Sequence, residues 1–259
     1  MEYSPSGACA GRRPTESVLT KEEQRLYRTI RYIDRLTDYV LLLFFLLLFL
    51  IGGYTMYDTV LIYDAAAGDD LRSFRPMATE EEGETAFVWD MSALSEDVVA
   101  WLTVDDTNID YPVMQGVDNN EYLNKDPFGE YSLAGSIFLD ARNAPDFTDP
   151  YSLIYGHHME YGRMFGALDL FLDEEYFDAH RTASLTVADK TYSVRFFASL
   201  EADAAVQEIF APTETDGTLE YVREHAVLWR EPEGERLLAL STCKFPQTTA
   251  RIIVFGVFE

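Results

Sequence analysis

LSTCKFPQTTAR, residues Leu240–Arg251, decides how this chain reads. The residues that lead into it, RLLALSTC (236–243), are apolar and strand-prone, and so are those that follow, ARIIVFGVF (250–258). Between them lies KFPQTT, where Pro246 breaks regular structure. Two strands joined in this way make a hairpin, and the end of one lies beside the start of the next. Cys243 and Arg251 then become cross-strand neighbours, about 5 Å apart at Cα. A permanently charged guanidinium beside a thiol can lower the thiol's pKa. It can also donate hydrogen bonds to the oxyanion formed when a thiolate attacks a carbonyl. A buried, inert strand cysteine beside an ordinary surface arginine is the competing reading.

The rest of the chain narrows the choice. Its 259 residues carry a net charge of −25, so there is no surplus of Lys or Arg to neutralise nucleic-acid phosphates. The charge is uneven. Residues 1–53 hold seven Lys or Arg against six acids, and the remainder holds thirteen against thirty-nine. The dividing stretch, YVLLLFFLLLFLIGGYTMY (39–57), has no charged residue. As a helix it is about 28 Å long, close to the hydrocarbon thickness of a bilayer. Arg25, Arg28, Arg31 and Arg35 precede it and acids follow it, so the positive-inside rule puts the N-terminus in the cytoplasm. A buried core helix and a cleaved signal peptide, with Ala65-Ala66-Ala67 as a small-residue site, are the alternatives. The long segment ahead of the apolar run and the run's own length favour an uncleaved anchor. The expected organisation is a cytoplasmic tail (1–38), a transmembrane helix (39–57), an acidic linker (58–85) and an extracellular domain (86–259).

With that topology Cys9 and Cys243 lie on opposite sides of the membrane and cannot pair. Cys9 reads as an inert tail residue, with palmitoylation as the alternative. A lone cysteine without nearby Cys/His spacing is a poor zinc site.

MSALSEDVVAWL (91–102) reads as a short helix capped by Ser92 or Ser95. Beyond it, NIDYPVMQ (108–115), GSIFLDAR (135–142), YSLIYG (151–156), ASLTVA (183–188) and TYSVRFFASL (191–200) join the hairpin as strands. Helical patterns interrupt them at 164–180 and 218–229. The expectation is a mainly β fold, a mainly antiparallel barrel or sandwich with inserted helices.

Cysteine catalysis usually needs a base, most often histidine. His180 and His225 sit at helix ends among charges and read as solvated surface. His157 and His158 follow the strand YSLIYG directly. Adjacent residues on an extended chain point to opposite sides, so only one of them can face a given cleft. A polar loop tip is the competing reading for both.

Taken in order, these residues resemble the sortases, membrane-anchored cysteine transpeptidases of Gram-positive bacteria. LSTC is similar to the family's TLxTC-type signature, and Arg251 stands where its catalytic arginine stands. YGHHM looks like the histidine motif of class B sortases, and NIDYPVMQGVDNNEYL and AGSIFLD resemble further blocks of that class. The resemblance covers roughly residues 90–259. It implies a closed sortase β-barrel with N-terminal and inserted helices behind a single transmembrane helix.

It also implies roles, and no metal or organic cofactor. Cys243 would be the nucleophile, His157 the acid and base, and Arg251 the oxyanion donor. His157 is preferred to His158 because the family's histidine follows the glycine directly. Asn119, Leu123, Tyr155 and Ser241 would line the groove for a sorting signal of secreted proteins. KFPQTT has no acid, so a Cys–His–Arg set is implied rather than a Cys–His–Asp triad. The acceptor would be an amine of a peptidoglycan precursor or cross-bridge. A pilin-polymerising enzyme with a protein lysine as acceptor is one alternative. A non-catalytic, membrane-anchored binding ectodomain is another.

Overall fold

The structure is a computed structural model that describes residues 20–66, 71–81, 84–89, 91–212, 217–243 and 249–259, with Cys243 described as a strand position. Cys9, Ala67 and Pro246 lie outside the described residues. The chain falls into two units, Met1–Asp58 and Thr59–Glu259.

In the first unit, and into the second, runs helix α1 (Lys21–Ala65). It contains the whole apolar stretch 39–57, whose side chains are exposed. By length and apolarity it can cross a membrane. The stretch read as a linker is more structured than expected. It holds the last turns of α1, a 3-10 turn at Leu71–Phe74 and strand β1 (Met77–Glu81), which pairs with β2 (Glu84–Val88). Leu71 is buried, and Phe74 packs edge-on against Phe128 at 5.9 Å. Two apolar anchors in an otherwise acidic run suffice to hold that turn against the domain.

The second unit is a barrel. Its strands are β3 (Val98–Val104), β4 (Asp110–Met114), β5 (Ile137–Leu139), β6 (Tyr151–Tyr155), β7 (Thr182–Val187), β8 (Lys190–Asp203), β10 (Leu237–Cys243) and β11 (Ala250–Phe258). The hydrogen-bonded order β11-β10-β6-β5-β4-β3-β7-β8 closes through β8–β11 pairing. Closure leaves these eight strands with no open edge. A short β9 (Leu228–Trp229) adds to β8 at Ser199 and Ala198. Two neighbour pairs, β4–β5 and β6–β10, are parallel and the other six are antiparallel, so the barrel is mainly antiparallel.

The expected helix at 91–102 is corrected, because most of its apolar residues lie in β3. Val98 and Val99 are β-branched and Trp101 is aromatic, which suits a pleated surface with partners on both sides. The stretch 164–180 divides into a 3-10 helix (Gly166–Leu172) and α2 (Glu174–Ala179). Asp173 makes the break: its side chain accepts the Tyr176 backbone N–H and caps α2. Two further helices, α3 (Gln207–Phe210) and α4 (Thr218–His225), precede β9.

ARIIVFGVF is apolar almost throughout because both faces of β11 are covered. Ile252 and Val254 face the main core with Leu238, Leu240, Phe165 and Phe196. Ile253 and Phe255 face a second core with Tyr151, Leu153, Ile209 and Val222, the last two supplied by α3 and α4. A strand buried on both faces loses the polar alternation of a half-exposed one.

Candidate active site

Strand pairing brings the site together. Cys243 is the Cα partner of Arg251 in the antiparallel β10–β11 ladder. On the other side β10 runs parallel to β6, and the last paired couple is Ser241 with Tyr155. Cys243 ends β10 two residues after Ser241, and His157 lies two residues after Tyr155, beyond the end of β6. Arg251 thus flanks Cys243 on one side of β10; on the other side the chain stays beside β10 as far as Gly156, whose N–H bonds the Ser241 carbonyl, and His157 follows it. By the two-residue period, position 243 falls on the same face of β10 as position 241.

The crossing from β6 to His157 is held tightly. Gly156 donates its N–H to the Ser241 carbonyl at 3.1 Å, and its own carbonyl accepts the Thr242 hydroxyl at 2.9 Å. A Cβ at Gly156 would stand 2.4 Å from Ile137 Cδ1 and 2.7 Å from a Phe165 ring carbon, so no larger residue fits there. The His157 carbonyl accepts the Phe165 N–H at 3.0 Å. Its ring Nε2 lies 2.8 Å from the Leu123 carbonyl. A carbonyl only accepts, so Nε2 carries the proton and donates. That leaves Nδ1 to exchange a proton with a reacting group. His158 turns elsewhere, to Asp169 Oδ2 at 2.7 Å. His180 and His225 stack on Tyr176 and Tyr221, and each bonds a carbonyl of its own helix through Nδ1.

His157 and Arg251 line a cleft of about 290 Å³ together with Asn119, Leu123, Tyr155 and Ser241. The structure therefore gathers six of the seven sequence-predicted residues around one space. The seventh, Cys243, stands at the adjoining strand end. Phe138, Ala204, Phe210 and Thr242 complete much of the remaining wall. Ser241 is buried, and its hydroxyl has no hydrogen-bond partner among the described residues. An unpaired buried hydroxyl is costly unless something else occupies the cleft and bonds it.

Sequence reasoning missed one residue beneath this cleft. Asp140 is completely buried, and its carboxylate takes hydrogen bonds from Arg142, Asn119 and Tyr155. Burial alone would raise its pKa, but the Arg142 guanidinium and backbone N–H, with the Asn119 amide, hold it below the usual carboxylate value. Tyr155 is pushed the other way, by burial and by the Asp140 charge, so its hydroxyl keeps its proton and donates. The available signal was an acid closing the apolar run GSIFLD, since a strand end that enters the core forces its acid to find partners.

Residues 102–259 match the family model described as the sortase domain. The chain belongs to the sortase family. Its relatives are of class B. It is 38% identical over 161 residues to sortase B of Listeria monocytogenes, covering 60% of this chain and 65% of that protein's length. It is 28% identical over 173 residues to sortase B of Staphylococcus aureus, covering 63% of this chain and 71% of that one. A crystal structure of a Streptococcus pyogenes class B sortase, described as involved in pilus biogenesis, superposes with a TM-score of 0.61 at 42% identity. It covers 66% of this chain and 96% of that chain. The closed eight-stranded barrel is the sortase fold. Homologues in this family are cysteine transpeptidases.

Proposed function

We propose that this sortase is a membrane-anchored cysteine transpeptidase that cuts a sorting signal of secreted proteins and joins them to a cell-wall amine. What supports the reading is that Cys243 pairs with Arg251 across the β10–β11 ladder, while Arg251 and His157 line one cleft. The Cys243 thiolate attacks a backbone carbonyl carbon of the bound signal. The tetrahedral oxyanion takes hydrogen bonds from the Arg251 guanidinium. As the C–N bond breaks, His157 gives a proton from Nδ1 to the leaving amine, and a thioacyl-enzyme remains. An amine of a peptidoglycan precursor or cross-bridge then attacks that thioester. His157 takes its proton, and Cys243 leaves as the thiolate. Asn119, Leu123, Tyr155 and Ser241 hold the signal in an extended form. Residues 39–57 anchor the chain, with 1–38 in the cytoplasm, 58–85 as connection and 86–259 as the extracellular catalytic part.

A second acceptor has one observation in its favour. The Streptococcus pyogenes relative at 42% identity is described as involved in pilus biogenesis. A protein lysine would then replace the wall amine in the second step, with the same residues at work.

Mass spectrometry of the full chain in detergent micelles, incubated with a peptide library, tests the first step. A Cys243-linked acyl adduct is expected. The proposal fails if no peptide yields a thioester while Cys243 is shown to be reduced. A thiol inert to small alkylating reagents would instead favour a binding ectodomain. Adding diaminopimelate-containing or oligoglycine amines against a lysine-bearing pilin-like protein separates the two acceptors.

A further inference from the structure

Asp140 does not line the cleft, yet its hydrogen bonds lead there. Oδ1 accepts Arg142 Nε at 2.8 Å and the Arg142 backbone N–H at 3.0 Å. Oδ2 accepts Arg142 Nη2 at 2.7 Å, Asn119 Nδ2 at 2.9 Å and the Tyr155 hydroxyl at 3.0 Å. Neutralising a buried carboxylate accounts for Arg142. It does not account for the other two side chains, both of which form cleft wall. Arg142 Nη2 also reaches the Phe210 carbonyl at 2.7 Å, and Phe210 is cleft wall too, carried by α3. One carboxylate therefore ties together three wall residues from three parts of the chain.

The bonds also fix what the wall offers. Asn119 is held at both ends, because its Oδ1 accepts the Ala141 N–H at 2.7 Å while its Nδ2 donates to Asp140. The polarity of both partners is unambiguous, so the amide cannot flip. One N–H and one carbonyl lone pair of Asn119 remain for a ligand. Tyr155 has committed its only proton to Asp140, so its oxygen can only accept from a ligand.

We infer that Asp140 is a positioning residue for the peptide-binding wall, holding Asn119 and Tyr155 so that a bound peptide meets an acceptor at Tyr155 and a fixed donor–acceptor pair at Asn119. The inference rests on the cleft being the peptide site. It assigns Asp140 to recognition rather than to bond cleavage, because Cys243 and His157 are placed by strand register and by the Leu123 carbonyl, which Asp140 does not touch.

The test uses the full chain in detergent micelles and a quenched fluorescent peptide built on whichever sequence forms the Cys243 adduct. Asp140→Asn should raise KM at least fivefold. It should leave kcat, and the rate of Cys243 alkylation by iodoacetamide, within twofold of wild type. Because part of the Asp140 effect passes through Asn119, Asp140→Asn combined with Asn119→Ala should raise KM by less than the product of the two single effects. An unchanged KM with a lowered melting temperature makes Asp140 a stability residue only and overturns the inference. So do KM effects that multiply, or a parallel fall in kcat and alkylation. If Asp140→Asn does not fold, Asp140→Glu decides. It keeps a charge for Arg142 but displaces the carboxylate oxygens from Asn119 and Tyr155, so a threefold or greater rise in KM at constant kcat supports the inference, and an unchanged KM overturns it. Absence of any wild-type adduct is a separate result and removes the transpeptidase reading itself.

Discussion

At one end of the cleft, position is set by main chain; along its wall, by one side chain. Cys243 faces Arg251 through ladder register, and His157 reaches the same place through the parallel β6–β10 pairing and a bond to the Leu123 carbonyl. Asn119, Tyr155 and the Phe210 carbonyl instead meet through Asp140 and Arg142. Register is shared by many hydrogen bonds, and no single substitution erases it. A hub depends on one carboxylate. The chemistry should therefore be lost only by changing the reacting groups or the backbone that carries them. Recognition should be lost by changing residues that touch no peptide.

The sharpest break of that contrast is Cys243→Ala. With no nucleophile, the acyl adduct should vanish, and kcat/KM should fall by about 10⁴-fold or more. The wall is untouched, so peptide affinity measured by fluorescence anisotropy should stay within threefold of wild type. Gly156→Ala attacks the main-chain side. Its Cβ has no room between Ile137 and Phe165, so the chain must shift where it delivers His157. Overpacking of this kind costs about 1–3 kcal/mol, and a displacement near 1 Å can cost about 10²-fold in rate. The fall should appear in kcat with little change in KM. A rise confined to KM would show that main chain and wall are not separable.

How far these two parts could be read from sequence follows the same division. The β10–β11 hairpin, the seven short strands and the pairing of Cys243 with Arg251 are local pattern, and the ladder keeps them, with β5 trimmed to Ile137–Leu139. That only one of His157 and His158 turns to the cleft also follows from alternation, while the choice of His157 comes from the family resemblance. The helix expected at 91–102 failed because β3 is held by β4 and β7, partners remote in sequence, and their pairing outweighs a capping signal at Ser92 or Ser95. The two parallel pairings are likewise invisible locally. Asp140 was hidden for a different reason. One acid among forty-five is informative only once its burial is known.

Arg142→Ala tests the hub by stability and by pH. It leaves the buried Asp140 charge with two side-chain donors and one backbone N–H. The loss of charged hydrogen bonds should destabilise the fold by about 1.5–3 kcal/mol near neutral pH, read by urea denaturation. Asp140 has a depressed folded pKa, so its contribution is fully present above the unfolded carboxylate value, about 3.9. It is lost as pH falls through the lower folded value. The gap between variant and wild type should therefore narrow in that acid window, since a protonated Asp140 no longer needs the guanidinium. A gap that stays constant with pH would mean that Arg142 acts by packing alone.

The smallest expected effect lies where the two constructions meet. Leu123, whose carbonyl holds His157, sits in the 3-10 turn Glu121–Leu123. Its neighbour Tyr122 is buried and donates its hydroxyl to Asp97 Oδ2 at 2.6 Å. That bond is the main reason the Asp97 carboxyl lies below its usual pKa. Tyr122→Phe keeps the ring and removes the bond. Asp97 is partly exposed and can rehydrate, so the cost should be only about 0.5–1.5 kcal/mol. The Asp97 pKa, followed by NMR titration, should rise toward its ordinary value. If backbone alone fixes the turn, the pH profile of kcat should not move, because Ser136 still donates its N–H to the Tyr122 carbonyl at 3.0 Å. A displaced profile would mean that His157 depends on a side-chain tie after all, and that the end at Cys243 is built partly in the manner of the wall.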